Sequence, residues 1–307
     1  MTLRSTEIVS PGGGTRAVFV PEAGMVCRSL THRGQELLHE GWGLEAYAQR
    51  GKTMGIPLLY PWANRLSAHE YEAAGRRVQL PRAAAAIPRD PGGLPIHGVL
   101  PGLMRWEAEP LGDGLTARLR WEQAPLLDLF PYRHEVRMQV TVSEGQLEIS
   151  TTVCAAEGPV PVSFGFHPYL RVPCQTRARC RMELPGCERL LLDERSIPTG
   201  EREPLGPQAL ELGESSWDDG LVLHGVPSRF SAQGPHGATG APGATVALEL
   251  VNGYPFGQVY APPEADFVCF EPMTAPTNAL RSGTDLIVLA PGQEHRATFR
   301  ISVNPRA

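Results

Sequence analysis

Strict period-two alternation constrains this chain most. In EVRMQVTV, Val136, Met138, Val140 and Val142 alternate with Arg137, Gln139 and Thr141. Successive side chains of a β-strand point to opposite faces, so such a segment buries one face and wets the other. A Ser-Glu-Gly turn at residues 143–145 leads into QLEISTTV, where Leu147, Ile149 and Val153 resume the apolar set. The spacing predicts a β-hairpin. The same alternation recurs through Leu115, Ala117, Leu119 and Trp121, through Val246, Leu248 and Leu250, and through Ala297, Phe299, Ile301 and Val303. Helical periodicity is confined to a turn or two at residues 44–49. The 33 glycines and 30 prolines argue against long helices. Strands recur towards both ends with no linker between them. The reading is therefore all-β: one large antiparallel β-sandwich, a single domain over residues 1–307. The Gly-, Pro- and Ala-rich residues 231–244 lack the strict period of a collagen repeat and read as a mobile hairpin loop.

Bulk properties narrow the function classes. The formal net charge is −5 with no basic block, which argues against nucleic acid as the main ligand. Nearly all positive charge is arginine, Lys52 being the single lysine, as a GC-rich coding bias would produce. No run of about 18 apolar residues occurs and the N-terminus lacks an apolar leader core, so neither a membrane partner nor a signal peptide is expected. Six cysteines in 307 residues do not make a disulfide framework. Cys174, Cys180 and Cys187 cluster, but without the close pairs usual in zinc sites, so no metal is expected. Reduced thiols and a cytoplasmic location are the expectation.

Five stretches set polar groups against apolar surroundings. In GIPLLYPWANRLS, Asn64 and Arg65 follow an apolar run; the guanidinium there is either paired on a surface loop or reaches into a wet cavity. In LPIHGVL, His97 precedes Gly98, a residue that lets backbone approach closely; a buried histidine bonded to backbone is the plainer reading. In SFGFHPYL, His167 is flanked by Phe164, Phe166 and Tyr169. Desolvation disfavours its charged form and a nearby carboxylate favours it, a balance suited to proton transfer. Aromatic flanks also suit sugar binding, and a satisfied core histidine is the alternative. In SSWDDGLVL, Asp218 and Asp219 precede glycine, which also describes an ordinary turn. In DFVCFEPMTAPTNAL, the buried run 267–270 ends at Glu271, with Pro272 expected to stop the ladder. A carboxylate there has its pKa raised by burial and fits a general base, unless it is held in a structural salt bridge. No nucleophile elbow and no phosphate-binding P-loop is present.

Together these pieces resemble the aldose 1-epimerase (galactose mutarotase) family of bacterial type. PLLYPWANR, IHG, FGFHPYL, WDDGL and EPMTAPTNAL occur in the family's order over residues 57–280. The resemblance implies a β-supersandwich with a sugar in a cleft on one sheet. It implies that His167 is the general acid and Glu271 the general base, and that Arg65 and His97, with Asn64 beside them, hold the sugar. Asp218 matches a hydroxyl-binding aspartate, with Asp219 close enough to be confused with it. Ala63, Leu170 and Leu221 depart from the family's usual residues and are expected on the pocket wall, where they would shift sugar preference.

The implied reaction interconverts α and β anomers of a free aldohexose by ring opening and closure, with no cofactor. Both proton-transfer groups would need pKa values not far from neutral. The implied partner is a small-molecule sugar, with no nucleic acid and no membrane, and the chain would be a monomer or homodimer. Two other readings stand beside this one. An epimerase of a charged sugar such as a hexose 6-phosphate would need a cationic subsite, for which Arg177, Arg179 and Arg181 alternate as on one strand face. A non-catalytic carbohydrate-binding protein would use the same sandwich without moving protons.

Overall fold

A computed structural model describes residues 3–82, 84–171, 177–235 and 244–303. The predicted hairpin is present as His134–Ser143 paired antiparallel with Gln146–Ala155. Its register sets Val136 across from Val153, Val140 from Ile149 and Val142 from Leu147. Val136, Met138, Val140 and Val142 are buried, while Arg137, Gln139 and Thr141 are exposed. The turn closes through Gly145, whose φ of +71° suits glycine.

This hairpin lies inside a nine-stranded antiparallel sheet. Gln146–Ala155 continues through Glu294–Val303 and Thr245–Asn252 to Ser228–Gln233, and His134–Ser143 continues through Gly114–Trp121 to Glu107–Leu111. The flanks of the Gly-rich segment thus pair antiparallel, and the mobile loop expected between them falls, over residues 236–243, outside the described residues. An eight-stranded sheet packs against this one. Its middle is Trp217–Leu223, Phe256–Ala261 and Phe267–Met273, followed by the short pieces Gly165–Phe166 and Tyr169–Arg171. Aromatic side chains knit the two layers. Phe166 meets Phe299 at 4.9 Å between ring centroids, and Phe230 stacks on Phe270 at 5.5 Å. Each fully buried side chain of this kind contributes roughly 1.5–3 kcal/mol.

The helix at residues 44–49 appears as Leu44–Arg50, ended by Gly51 in the left-handed conformation. Ala46, Tyr47 and Ala48 are buried, and Tyr47 and Ala48 join a small cluster with Val20, Val26 and Met54. No helix among the described residues is long and apolar enough to cross a membrane.

One strand end differs from expectation. The run Phe267–Met273 does not stop before Pro272, and Glu271 lies inside the strand, paired across from Gln258. Proline is tolerated because the neighbour on the other side is interrupted. Gly165 pairs with Met273 and Tyr169 with Cys269, but residues 166–168 make no ladder pairs with this strand.

Candidate active site

The gap in the ladder positions the site. The pairs Gly165–Met273 and Tyr169–Cys269 keep one register on both sides of it, so His167 stands across from Glu271. Alternation then places His167, Tyr169 and Glu271 on one sheet face. The adjoining strands add Gln258, Tyr260 and Asp218 to that face through the pairs Gln258–Glu271 and Asp218–Tyr260. The same rule separates the two aspartates. Asp218 lines the cavity, whereas Asp219 points the other way, 3.7 Å from Arg189.

Loops supply the opposite wall. His97 donates its backbone N–H to the Asn64 carbonyl at 3.0 Å, and Arg65 bridges to Ile96. Asn64 and His97 both have positive φ, 57° and 60°, an uncommon conformation at a non-glycine residue. Gly98 has a φ of +76°, and a Cβ there would lie 1.9 Å from the Tyr60 carbonyl oxygen. The glycine therefore lets the chain's own backbone approach, not a ligand as the sequence reading allowed.

The resulting cavity has a volume of about 190 Å³ and is lined by Thr53, Asn64, Arg65, Ile96, His97, His167, Tyr169, Asp218, Gln258, Tyr260 and Glu271. All six residues singled out from sequence for this role are brought together. His167 Nε2 lies 3.3 Å from Glu271 Oε1. The imidazole stacks on Tyr169 at 4.5 Å between centroids and meets the His97 ring edge-on at 5.7 Å. Polar groups run along the wall in a directed chain. The Arg65 guanidinium donates to Asp90 (3.0 Å) and to Asn64 Oδ1 (3.3 Å); Asn64 donates to Gln258 Oε1 (3.3 Å); Gln258 donates to Asp218 (2.6 Å). Thr53 and Tyr169 share a hydroxyl contact of 2.6 Å.

Three buried atoms of cavity-lining residues have no hydrogen-bond partner: His167 Nδ1, His97 Nδ1 and Glu271 Oε2. Buried polar atoms are ordinarily satisfied, so orphans gathered in one cavity await a polar ligand or water. Electrostatics point the same way. Burial pushes the His167 imidazole down to about 3. Burial, then the Asp218 charge, holds the Glu271 carboxyl well above the usual carboxylate range, against an opposing pull from Arg65. His97 is pushed well down by burial, then by His167 and Arg65. His167 thus lies below the near-neutral value expected of it, and both proton-transfer candidates are driven towards their uncharged forms.

Other expectations change. Phe164 and Phe166 pack into the core, and of the aromatic flanks only Tyr169 lines the cavity. Ala63, Leu170 and Leu221 are buried away from the cavity, Leu170 and Leu221 because they alternate with wall residues, so they do not form its wall. Arg177, Arg179 and Arg181 do not share a strand face. Arg177 and Arg179 form a 3-10 turn, and Arg181 opens the strand Arg181–Leu184. Arg177 is buried and donates to the carbonyls of Leu212, Gly213, Ser215 and Ala261; Arg181 faces Glu183. None lines the cavity. Cys180 and Cys187 are buried, and Cys174 lies outside the described residues.

Sequence reasoning missed Thr53, Ile96, Gln258 and Tyr260. Gln258 and Tyr260 carried a legible signal, being alternate residues of the otherwise apolar FGQVYA. A larger depression of about 620 Å³ lies on the wet face of the nine-stranded sheet. Its charged walls pair among themselves, Arg118 with Glu107 and Arg137 with Glu135 and Glu294, and it holds no orphaned buried atom.

Fold and site thus define a β-sandwich protein with a buried imidazole–carboxylate pair at the base of a small polar cavity. Solved structures share the fold. The Slr1438 protein of Synechocystis sp. PCC 6803 aligns with a TM-score of 0.77 at 21% identity over 99% of this chain and 96% of its own. A galactose mutarotase related enzyme from Lactobacillus acidophilus aligns at 0.78 with 16% identity over 98% of both chains. The chain belongs to the aldose 1-epimerase family, whose model matches residues 10–302. It is also 26% identical to the uncharacterized protein YihR of Escherichia coli (strain K12) over 255 residues, 80% of this chain and 77% of that protein.

Proposed function

We propose that this protein interconverts the α and β anomers of a free, uncharged aldohexose. The observation that carries the reading is the 3.3 Å His167–Glu271 pair, with an unpartnered atom on each residue, in the cavity. At about 190 Å³ the cavity is smaller than the roughly 300–1,000 Å³ of drug-sized sites, which suits one sugar ring.

Glu271 takes the proton of the C1 hydroxyl while His167, as imidazolium, donates a proton to the ring oxygen. The C1–O5 bond breaks to give the aldehyde. Rotation about C1–C2 presents the other face, and closure returns both protons. Before opening, the pair is carboxylate and imidazolium; after opening, it is carboxylic acid and neutral imidazole. Burial favours the uncharged pair. The environment therefore disfavours the ion pair that starts the reaction and favours the protonation state that accompanies the open chain, so the energy taken up in forming the ion pair is returned as the ring opens. His97 and Arg65 stabilise charge developing on the ring oxygen. Asp218, Gln258 and Asn64 offer fixed partners to the remaining hydroxyls.

Arg65 is the only guanidinium or ammonium group lining the cavity among the described residues, and Asp90 already compensates it. That favours neutral over phosphorylated sugars. An NMR anomer-exchange panel over glucose, galactose and their 6-phosphates tests the reading, with Glu271→Gln as control. Exchange above the water rate with a neutral sugar, abolished in the variant, is expected. Sugar binding with an unchanged exchange rate would make this a carbohydrate-binding protein.

A further inference from the structure

Asp90 lies outside the cavity lining and was not singled out from sequence, yet two features of the site meet on it. Its Oδ2 accepts from Arg65 Nε at 3.0 Å, with only 8% of the Asp90 side chain exposed and 17% of Arg65. Its Oδ1 accepts from the backbone N–H of Leu94 at 2.8 Å, and its own N–H donates to the Leu94 carbonyl at 3.0 Å. That turn leads straight into the segment that carries His97, which bonds back to Asn64. One carboxylate therefore ties a guanidinium on one loop to the turn that sets a histidine on the next. A buried, doubly bonded carboxylate of this kind loses little freedom when substrate arrives, so the geometry it imposes is already in place. With Nε taken by Asp90, the guanidinium is held with Nη1 towards Asn64 and the cavity.

We propose that Asp90 is a positioning residue that holds Arg65, and through the 90–94 turn His97, in the arrangement the transition state needs. This rests on the anomer-exchange reading above. Asp90 touches no sugar atom; it acts through Arg65.

The test uses the full chain and four variants: Asp90→Asn, Asp90→Ala, Arg65→Ala and the double variant Arg65→Ala/Asp90→Ala. NMR exchange gives kcat and KM for the best neutral aldose, and thermal melting reports folding. Asp90→Asn keeps an oxygen for the Leu94 N–H but loses the charged contact to Nε. It is expected to lower kcat by about 10–100-fold with KM within about threefold, the size of effect that a small misplacement of a catalytic group produces. Asp90→Ala should do at least as much. The double variant should be no slower than Arg65→Ala, because the carboxylate has then lost the group it positions. Wild-type kcat in Asp90→Asn, or multiplied losses in the double variant, would overturn the inference; should Asp90→Ala not fold, Asp90→Asn and its combination with Arg65→Ala decide it. Absence of exchange in the wild-type chain overturns the functional reading and this inference with it. An active wild type with unchanged Asp90 variants overturns this inference alone.

Discussion

Two buried histidines, His134 and His167, share nearly every coarse property and differ in one. Both are almost fully enclosed, with 6% exposure each. Both lie flat on an aromatic ring, His134 on Trp121 with a 20° interplanar angle and His167 on Tyr169 with 5°. Burial depresses both, to about 4 and about 3. Yet His134 is satisfied at both nitrogens: Nδ1 donates to the Tyr132 carbonyl at 2.6 Å, and Nε2 meets the Tyr60 hydroxyl. His167 has no partner at Nδ1 and a carboxylate at Nε2. Burial, stacking and a perturbed pKa therefore do not tell a core histidine from a site histidine. Unused hydrogen-bonding capacity beside a group of opposite charge does.

The comparison is sharpest in activity. His167→Asn and Glu271→Gln are each expected to slow anomer exchange by about 10²–10⁴-fold, the usual worth of a positioned acid or base, with cooperative folding kept. Near-normal exchange rates in both would break the assignment. Tyr60→Phe should do the reverse. It leaves His134 Nε2 without a donor in the core and should cost about 1–3 kcal/mol in urea unfolding, with exchange per folded molecule little changed.

A pH series treats the two histidines alike. Each has a folded pKa below its ordinary 6.5. Between there and about 4 the unfolded chain binds protons that the folded chain does not. Stability contributed by the neutral imidazoles is thus present above 6.5 and lost as pH falls, by up to about 1.4 kcal/mol per pH unit for each proton. His167→Asn should flatten that slope by about one proton, measured by urea unfolding across the range. Glu271 carries the opposite sign. Its folded pKa is raised above 4.5, so its favourable contribution is present below that value and lost as pH rises through the folded pKa. Glu271→Gln should therefore gain stability over wild type with rising pH and show no gain below about 4.5 in the same titration.

Much of the fold was legible because strand alternation is local. The hairpin of residues 134–155, the strands ending the chain and the short helix at 44–50 follow from side-chain period alone. Pro272 misled because its effect depends on whether a neighbouring strand asks for its missing N–H, and here the neighbour is interrupted. Leu170 and Leu221 misled because an odd separation from a wall residue, one position from Tyr169 and three from Asp218, means the opposite face in a strand. Gln258 and Tyr260 were overlooked because nothing local ties their strand to that of Glu271.

By itself the sequence determined the all-β class and offered His167, Glu271, Arg65, His97, Asn64 and Asp218 as candidates, with their roles implied by the resemblance of short motifs to one family. It did so because residue type and period-two spacing are properties of a few consecutive residues. Only the tertiary structure decided that Asp218 and not Asp219 faces the cavity, that Asp90 compensates Arg65, and that His167 lies 3.3 Å from Glu271. Those outcomes depend on register between strands and contact between loops distant in sequence. No local pattern encodes them, because the packing of the whole sandwich selects them.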